Sequence, residues 1–443
     1  MVVRQGRPQL HLAQQPIRRG GQQVGLAGED TDLTVATQKN SKGFYKVYAT
    51  SLWIGSSGLA WSADGGKTWQ LNRLGGVPTQ DRPWLAADGA CNVVIAYHQL
   101  PTFTPFVNTY NVCTNGNVPT TGGATLDPVN SSALSMSDFP GTSNSFNKLT
   151  IDTSPQSRFQ HSIYVPMSLC AAQAATDVLV AEASSCKGTQ YLVAVSTDGG
   201  TTFTYHPVVV DPSNAVLVWA ATVSTDAVGN VYFAWSDARN AYLNVSHDGG
   251  KTWSKSLKLN APKTATVYPT VAGGKSGRVD IAWYGTPRAG NANDKKVMGK
   301  PNAADGAKWS VILARSIDGG RTFKLRTISA TIHVGELCTG GSGCGDTNSR
   351  NLLDDFRSRD QPGDRARRHR LHGRPAGRRR RHGLHRVRDR AAHPEEALAT
   401  AQRHPSTDVD CDVVCQWSAS QRHTTSQSTL AGFAACLLAE EAA

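Results

Sequence analysis

Ser246-His247-Asp248-Gly249-Gly250-Lys251-Thr252-Trp253 is a stretch that the chain repeats. The pattern Ser-x-Asp-Gly-Gly-x-Thr, closed by Trp or Phe, recurs at Ser62–Trp69, Ser196–Phe203 and Ser316–Phe323. Such agreement over eight positions is not chance. An Asp followed by two Gly turns the chain at positive φ, and the carboxylate is placed to accept hydrogen bonds from the amides of its own turn. The Ser and Thr hydroxyls tie down further turn groups, and the terminal aromatic packs beneath the turn as the next strand begins. Ser62, Asp64, Trp69, Ser196, Asp198, Phe203, Ser246, Asp248, Trp253, Ser316, Asp318 and Phe323 are therefore read as structural. One carboxylate per loop falls short of an EF-hand-like calcium site, so no metal is expected there.

The spacing from Asp64 to Asp198 is 134 residues, then 50 to Asp248 and 70 to Asp318, so the first gap holds two units, one without the motif. A second repeated element supports that count. Asp226–Asp237 reads as a turn followed by a strand, and Asp88–His98, Asp152–Val165 and Ala272–Tyr284 share its shape, as does Asp32–Leu52. These runs are apolar on both faces, as where sheets stack face to face. Five strand-only units at this period predict a propeller rather than a solenoid. The 42 Gly and 21 Pro suit many short strands joined by turns.

The four motifs resemble the Asp box, or BNR repeat, of bacterial sialidase-like proteins. That resemblance covers about Asp30 to Phe356 and implies an all-β, six-bladed β-propeller of the sialidase-like type. Three stretches are expected: a poorly defined segment 1–28, the Asp-box propeller 29–356, and an Arg-rich tail 357–443. Family precedent also calls for a final strand unit after Arg350–Phe356, and it does not follow.

Charge explains why. The chain carries +12, but Arg357–Arg390 holds fourteen Arg against three Asp, or +11, and leaves +1 for everything else. That segment lacks aromatics and almost all β-branched residues, so it forms no propeller strand. Lys is absent after Lys324. A lysine-free mixture of Arg, Ala, Gly, Pro and His is what a G+C-rich gene gives when read out of frame. The tail is accordingly read as frameshifted, non-native and disordered, with the sixth blade incomplete and the faces of its neighbours exposed. The rival reading is a nucleic-acid-binding tail.

Nine Cys are present, six of them before Phe356. An even number suits disulfides such as Cys338–Cys344 and Cys170–Cys186 and an oxidising compartment. Segment 1–28 has no apolar h-region, hence no signal peptide as written, although the family implies a secreted or extracellular protein. No apolar run is long enough to span a bilayer, and no membrane partner is expected.

Blade topology sorts the loops. If the Asp box joins the third and fourth strands, the loops between second and third strands and the links between blades lie on the opposite face. Glu29, Asp30, Asp32, Asp81, Arg82, His98, Asp237, Arg239, Tyr268, Tyr284, Arg288, Glu336 and Arg350 gather there. The resemblance implies an arginine triad for a substrate carboxylate, since a guanidinium offers a planar fork. It also implies a Tyr nucleophile activated by Glu, and an Asp acid/base. Carried onto this chain, Asp81, Arg82, Asp237, Arg239, Tyr268 and Tyr284 are the catalytic candidates. His98, Arg288, Glu336 and Arg350 are the substrate-binding ones. The Phe-Arg-Ile-Pro motif typical of sialidases is missing, and Glu182 and Glu336 are the only Glu between Asp30 and Asp355. The expectation is a monomeric sialidase-like glycoside hydrolase, without cofactor, whose partner is a carbohydrate or other small polar ligand. The alternative is a non-catalytic propeller binding glycan or protein at the same face. Nucleic acid is not expected as a partner of the body.

Overall fold

The computed structural model describes residues 18–19, 22–23, 29–53, 56–72, 80–99, 104–114, 119–126, 145–170, 188–213, 221–339 and 352. A short pair, β1 (Arg18–Arg19) and β2 (Gln22–Gln23), comes first. Five antiparallel sheets follow in chain order. Blade 1 is β3 (Glu29–Lys39), β4 (Tyr45–Trp53), β5 (Ser56–Ser62) and β6 (Gln70–Asn72). Blade 2 is β7 (Gln80–Asp88), β8 (Asn92–Gln99), β9 (Thr104–Asn111) and β10 (Thr121–Thr125). Blade 3 opens on the short β11 (Ser145–Phe146) and β12 (Thr150–Ile151), both paired with β13 (Ile163–Cys170), and continues with β14 (Thr189–Ser196) and β15 (Thr204–Asp211). Blade 4 is β16 (Ala221–Thr225), β17 (Val231–Ser236), β18 (Ala241–Ser246) and β19 (Leu257–Lys258). Blade 5 is β20 (Ala265–Gly273), β21 (Val279–Thr286), β22 (Lys308–Ser316) and β23 (Lys324–Thr327), with β24 (His333–Val334) added beside β22. A four-residue helix, α1 (Lys295–Met298), sits between β21 and β22. The sixth blade and the tail 357–443 lie outside the described residues.

Each Asp box occupies the turn between third and fourth strands, and all four share one hydrogen-bond set. In blade 4, Asp248 Oδ1 accepts from Ser246 Oγ (2.7 Å), Lys251 N (3.0 Å) and Thr252 N (2.9 Å), while Oδ2 accepts from Thr252 Oγ1 at 2.6 Å. The Thr-to-Asp hydroxyl bond is again 2.6 Å at Asp64, Asp198 and Asp318. With both carboxylate oxygens committed to their own loop, the box is a corner-piece. The second Gly serves a different purpose. At Gly250, φ is +86° and a Cβ would come within 3.3 Å of Val195 Cγ2 on blade 3; at Gly320 it would come within 2.9 Å of Leu243 Cδ2 on blade 4. The boxes of blades 3, 4 and 5 thus each seat on the third strand of the preceding blade, with little room for a side chain.

The blade without a box is blade 2. Its turn between third and fourth strands carries Cys113, joined by a disulfide to Cys91 in the turn between its first and second strands. Nothing in the sequence around either Cys marks this pair. Lys46 of blade 1, only 6% exposed, reaches across to it: Nζ lies 2.7 Å from Cys113 Sγ, 3.3 Å from Cys91 Sγ and 2.9 Å from Ala90 O. Cys338 is also disulfide-bonded. Cys186 and Cys344 lie outside the described residues.

The apolar core sits between blades. Tyr48, Leu59 and Trp61 of blade 1 meet Leu85, Val93 and Ile95 of blade 2. Blades 4 and 5 meet through Leu243, Val271, Ile281 and Trp283. The other side of blade 5, bearing Ala282, Tyr284, Val311 and Leu313, is not left bare as a lost sixth blade would imply. Ile328, Ile332, Leu337 and Leu352, from the chain beyond its last long strand, join the same buried cluster.

Candidate functional site

First strands begin on the face opposite the boxes, and there two of them depart from regular geometry in the same way. In blade 2 the register slips between Asp81 and Trp84; in blade 5 it slips between Val267 and Thr270. Each bulge contains one non-glycine residue in the left-handed region, Arg82 at φ +55° and Tyr268 at φ +51°, and each of these precedes a Pro. Arg82-Pro83 and Tyr268-Pro269 thus hold equivalent places in two blades. Such backbone costs about 1–3 kcal/mol per residue and persists where the surroundings enforce it, often at ligand sites. The residue just past each bulge is latched to the previous blade: Leu85 N donates to Asp32 Oδ2 (2.7 Å), and Val271 N to Thr222 Oγ1 (3.1 Å).

Around Arg82, Asp81 lies opposite His98 in the β7–β8 register, and the His98 ring meets Phe146 of blade 3 edge-on at 4.5 Å. Asp32, 3% exposed, accepts Lys148 Nζ at 3.2 Å on both oxygens. Blades 1, 2 and 3 therefore converge on one buried carboxylate.

The second group centres on the turn after β17. Asp237 is 9% exposed and caps that turn, accepting Arg239 N (2.9 Å) and Asn240 N (2.5 Å) on Oδ1 and Tyr242 Oη (3.1 Å) on Oδ2. Ala238, at φ +63°, lets the exposed Arg239 project. Arg239 O accepts Thr266 N at 3.2 Å, which brings this turn to the start of β20, two residues before Tyr268. Tyr242 stacks on Trp235 at 4.4 Å between centroids. Its phenol is pushed up to about 12, by burial first and by the Asp237 carboxylate second. Asp211, at the end of β15, completes the group; sequence reasoning missed it because no motif surrounds it. Burial raises its pKa above the ordinary carboxylate value, and the Asp237 charge adds to that while Arg239 opposes it.

The remaining candidates are placed differently. Tyr268, 6% exposed, and Tyr284, fully buried, both belong to the same core cluster. Arg288 donates to Val297 O (3.1 Å) and Asp305 O (2.7 Å), bracing the loop that carries α1. Glu336 faces Lys295 at 3.6 Å. Arg350 lies outside the described residues. Among the described residues no cluster of His, Cys, Asp and Glu could hold a metal ion, and no helix is long and apolar enough to cross a membrane. A groove of about 470 Å³, lined by Thr125, Thr201, Phe203 and Tyr205 among others, runs along the outer strands of blades 2 and 3, away from both groups.

The BNR/Asp-box repeat model matches residues 245–255. No curated protein matches the sequence. Among solved structures, a protein of unknown function from Dyadobacter fermentans aligns at 13% identity, covering 69% of this chain and 85% of its own, with a TM-score of 0.37. A Hadza microbial sialidase aligns at 13% identity over 71% of this chain and 61% of its own, with a TM-score of 0.39. A Penicillium chrysogenum α-L-arabinanase complexed with arabinobiose aligns at 12% identity over 64% and 72%, with a TM-score of 0.38.

Proposed function

The chain is built on BNR/Asp-box repeats, and from this premise we propose that it is a sialidase-like glycoside hydrolase acting on extracellular glycans at the face opposite the boxes. The observation that carries the reading is the twin bulge. Two strained, non-glycine residues, one cationic and one phenolic, occupy equivalent places at first-strand bulges in blades 2 and 5. Arg82 and Arg239 are the carboxylate-binding groups, Tyr268 the nucleophile and Asp81 the acid. The Cys91–Cys113 disulfide suits an oxidising compartment.

A second reading has its own support. Asp237 is occupied as a turn cap and Tyr284 is enclosed, so a propeller that binds glycan without cleaving it also fits.

The test is hydrolysis of a panel of aryl glycosides, led by an aryl sialoside, with the wild type, Arg82→Ala and Tyr268→Phe. An enzyme loses turnover at least ~100-fold in Tyr268→Phe while keeping substrate affinity. Saturable glycan binding by the wild type, with no turnover on any member, leaves the binding reading standing instead.

A further inference from the structure

The near-neutral charge of the chain outside its Arg-rich run conceals a division. Residues 29–213, which contain blades 1 to 3, carry nine Lys and Arg against thirteen Asp and Glu, a net −4. Residues 221–339, which contain blades 4 and 5, carry sixteen against eight, a net +8. Most of those acids are spent. Asp226, Asp237, Asp248 and Asp318 cap their own turns, and Asp280, 1% exposed, is clasped by Arg315 Nε (2.6 Å) and Arg278 Nη2 (3.1 Å).

Six of the remaining cations collect on one rim. Lys251, Lys255 and Lys258 lie on and just before the outermost strand of blade 4, and Arg321, Lys324 and Arg326 on and just before that of blade 5; all six are exposed. None forms an ion pair with a described residue. The two strips adjoin, because the box holding Arg321 seats its Gly320 against Leu243, whose register partner is Leu257 in β19.

We infer that this rim is a second binding surface, separate from the candidate site, for an anionic polysaccharide bearing sulfate or carboxylate groups. Opposed charge on a solvated edge gives salt-dependent binding of a flexible polyanion. Nucleic acid fits less well. Base binding needs aromatic platforms, whereas the exposed apolar residues in the strip are Leu257 and Leu325, and Trp253 and Phe323 are half-buried beneath their turns. The choice of polysaccharide rests on the glycan reading of the opposite face; the polyanion surface itself does not.

The full-length chain can be tested directly because the Arg-rich run contains no lysine, so amine acylation reports on the body alone. With dextran sulfate present, acylation of Lys255, Lys258 and Lys324 by an acetyl succinimidyl ester, read by mass spectrometry, slows about five-fold or more, and about 0.5 M salt abolishes the protection. Lys42 and Lys67 on blade 1, and all sites with neutral dextran, react as in the free protein. In the variant Lys255→Glu/Lys258→Glu/Lys324→Glu/Arg326→Glu, protection at Lys251 disappears. Equal protection of Lys42 and Lys67, or none on the rim, overturns the inference. If single-stranded oligonucleotide protects the rim as well at equal charge, the polysaccharide assignment falls. Because the footprint involves no hydrolysis, its outcome is independent of whether any glycoside is cleaved.

Discussion

Lys148 Nζ sits 3.2 Å from both carboxylate oxygens of Asp32, a residue 116 positions earlier in the chain. Asp32 also accepts the amide of Leu85, so one side chain joins three blades. Removing the cation takes away the charged partner of a buried carboxylate. Lys148→Met is expected to lower unfolding free energy by about 1–3 kcal/mol in urea melts, below the full cost of a buried pair because Lys148 is 25% exposed. A loss under about 0.5 kcal/mol would mean the pair is a surface contact of little consequence.

The boxes predict both a magnitude and a pH window. Asp248→Ala removes the acceptor for two amides and two hydroxyls and should cost about 1–2 kcal/mol with the candidate site untouched. Slight burial tends to raise the pKa of Asp198 and Asp248, but the hydrogen bonds from Thr202, Ser196, Thr252 and Ser246 outweigh it and hold both at about 2. A folded pKa below the unfolded value of 3.8 means the stabilisation is complete above about pH 4 and fades as pH falls towards 2. Acid titration of Asp248→Asn should therefore show a shallower loss of stability across that window than the wild type. Parallel curves would refute the assignment.

Arg82 offers a test in which stability and function move apart. Glycine accepts φ +55° without strain, so Arg82→Gly should leave Tm unchanged or slightly raised while weakening ligand binding by at least ~10-fold. A Tm drop of more than about 5 °C would show that the side chain holds the strand rather than the ligand.

The Cys91–Cys113 bridge closes a loop of 22 residues, for which chain entropy gives about 3 kcal/mol. Cys91→Ala/Cys113→Ala should lose roughly that much. Lys46 works in the opposite sense. Burial lowers its pKa from 10.5, so folding disfavours its charged form, and stability rises as pH climbs from the folded pKa towards 10.5. In Lys46→Met that rise should be diminished; an unchanged pH profile would place Lys46 in solvent.

The blades were legible because a box repeats both its residues and its place in the meander. Strand order, and with it the separation of faces, then followed from chain direction. The candidate site was only half legible. Arg82 and Tyr268 were named from residue type, but the feature that pairs them, a left-handed residue before Pro at a first-strand bulge, shows only once the registers are known. Asp211 carries no motif because the Ser213 amide and hydroxyl that bind its carboxylate are unremarkable in sequence. Cys113 went unpaired on paper because blade 2 has no box to mark its turn. The basic rim was invisible for a simpler reason, since one sum over the chain outside the Arg-rich run merges a stretch of net +8 with stretches of net negative charge.

The seating of the second box glycine of blades 3, 4 and 5 on the previous blade sets a direction for assembly. Box 5 needs the third strand of blade 4 already in place, and box 4 needs that of blade 3, so the joints can close in the order in which a ribosome delivers them. Blade 2 breaks the series. It has no box glycine to seat on blade 1; there the Gly89 backbone instead accepts Thr37 N (3.1 Å) and Gln38 N (3.3 Å) and donates to Thr37 Oγ1 (2.8 Å), and Lys46 reaches in to the clipped turns of blade 2. The earliest joint to be synthesised is therefore closed by hydrogen bonds and apolar packing that blade 1 supplies, and it needs no part of a later blade to be in place.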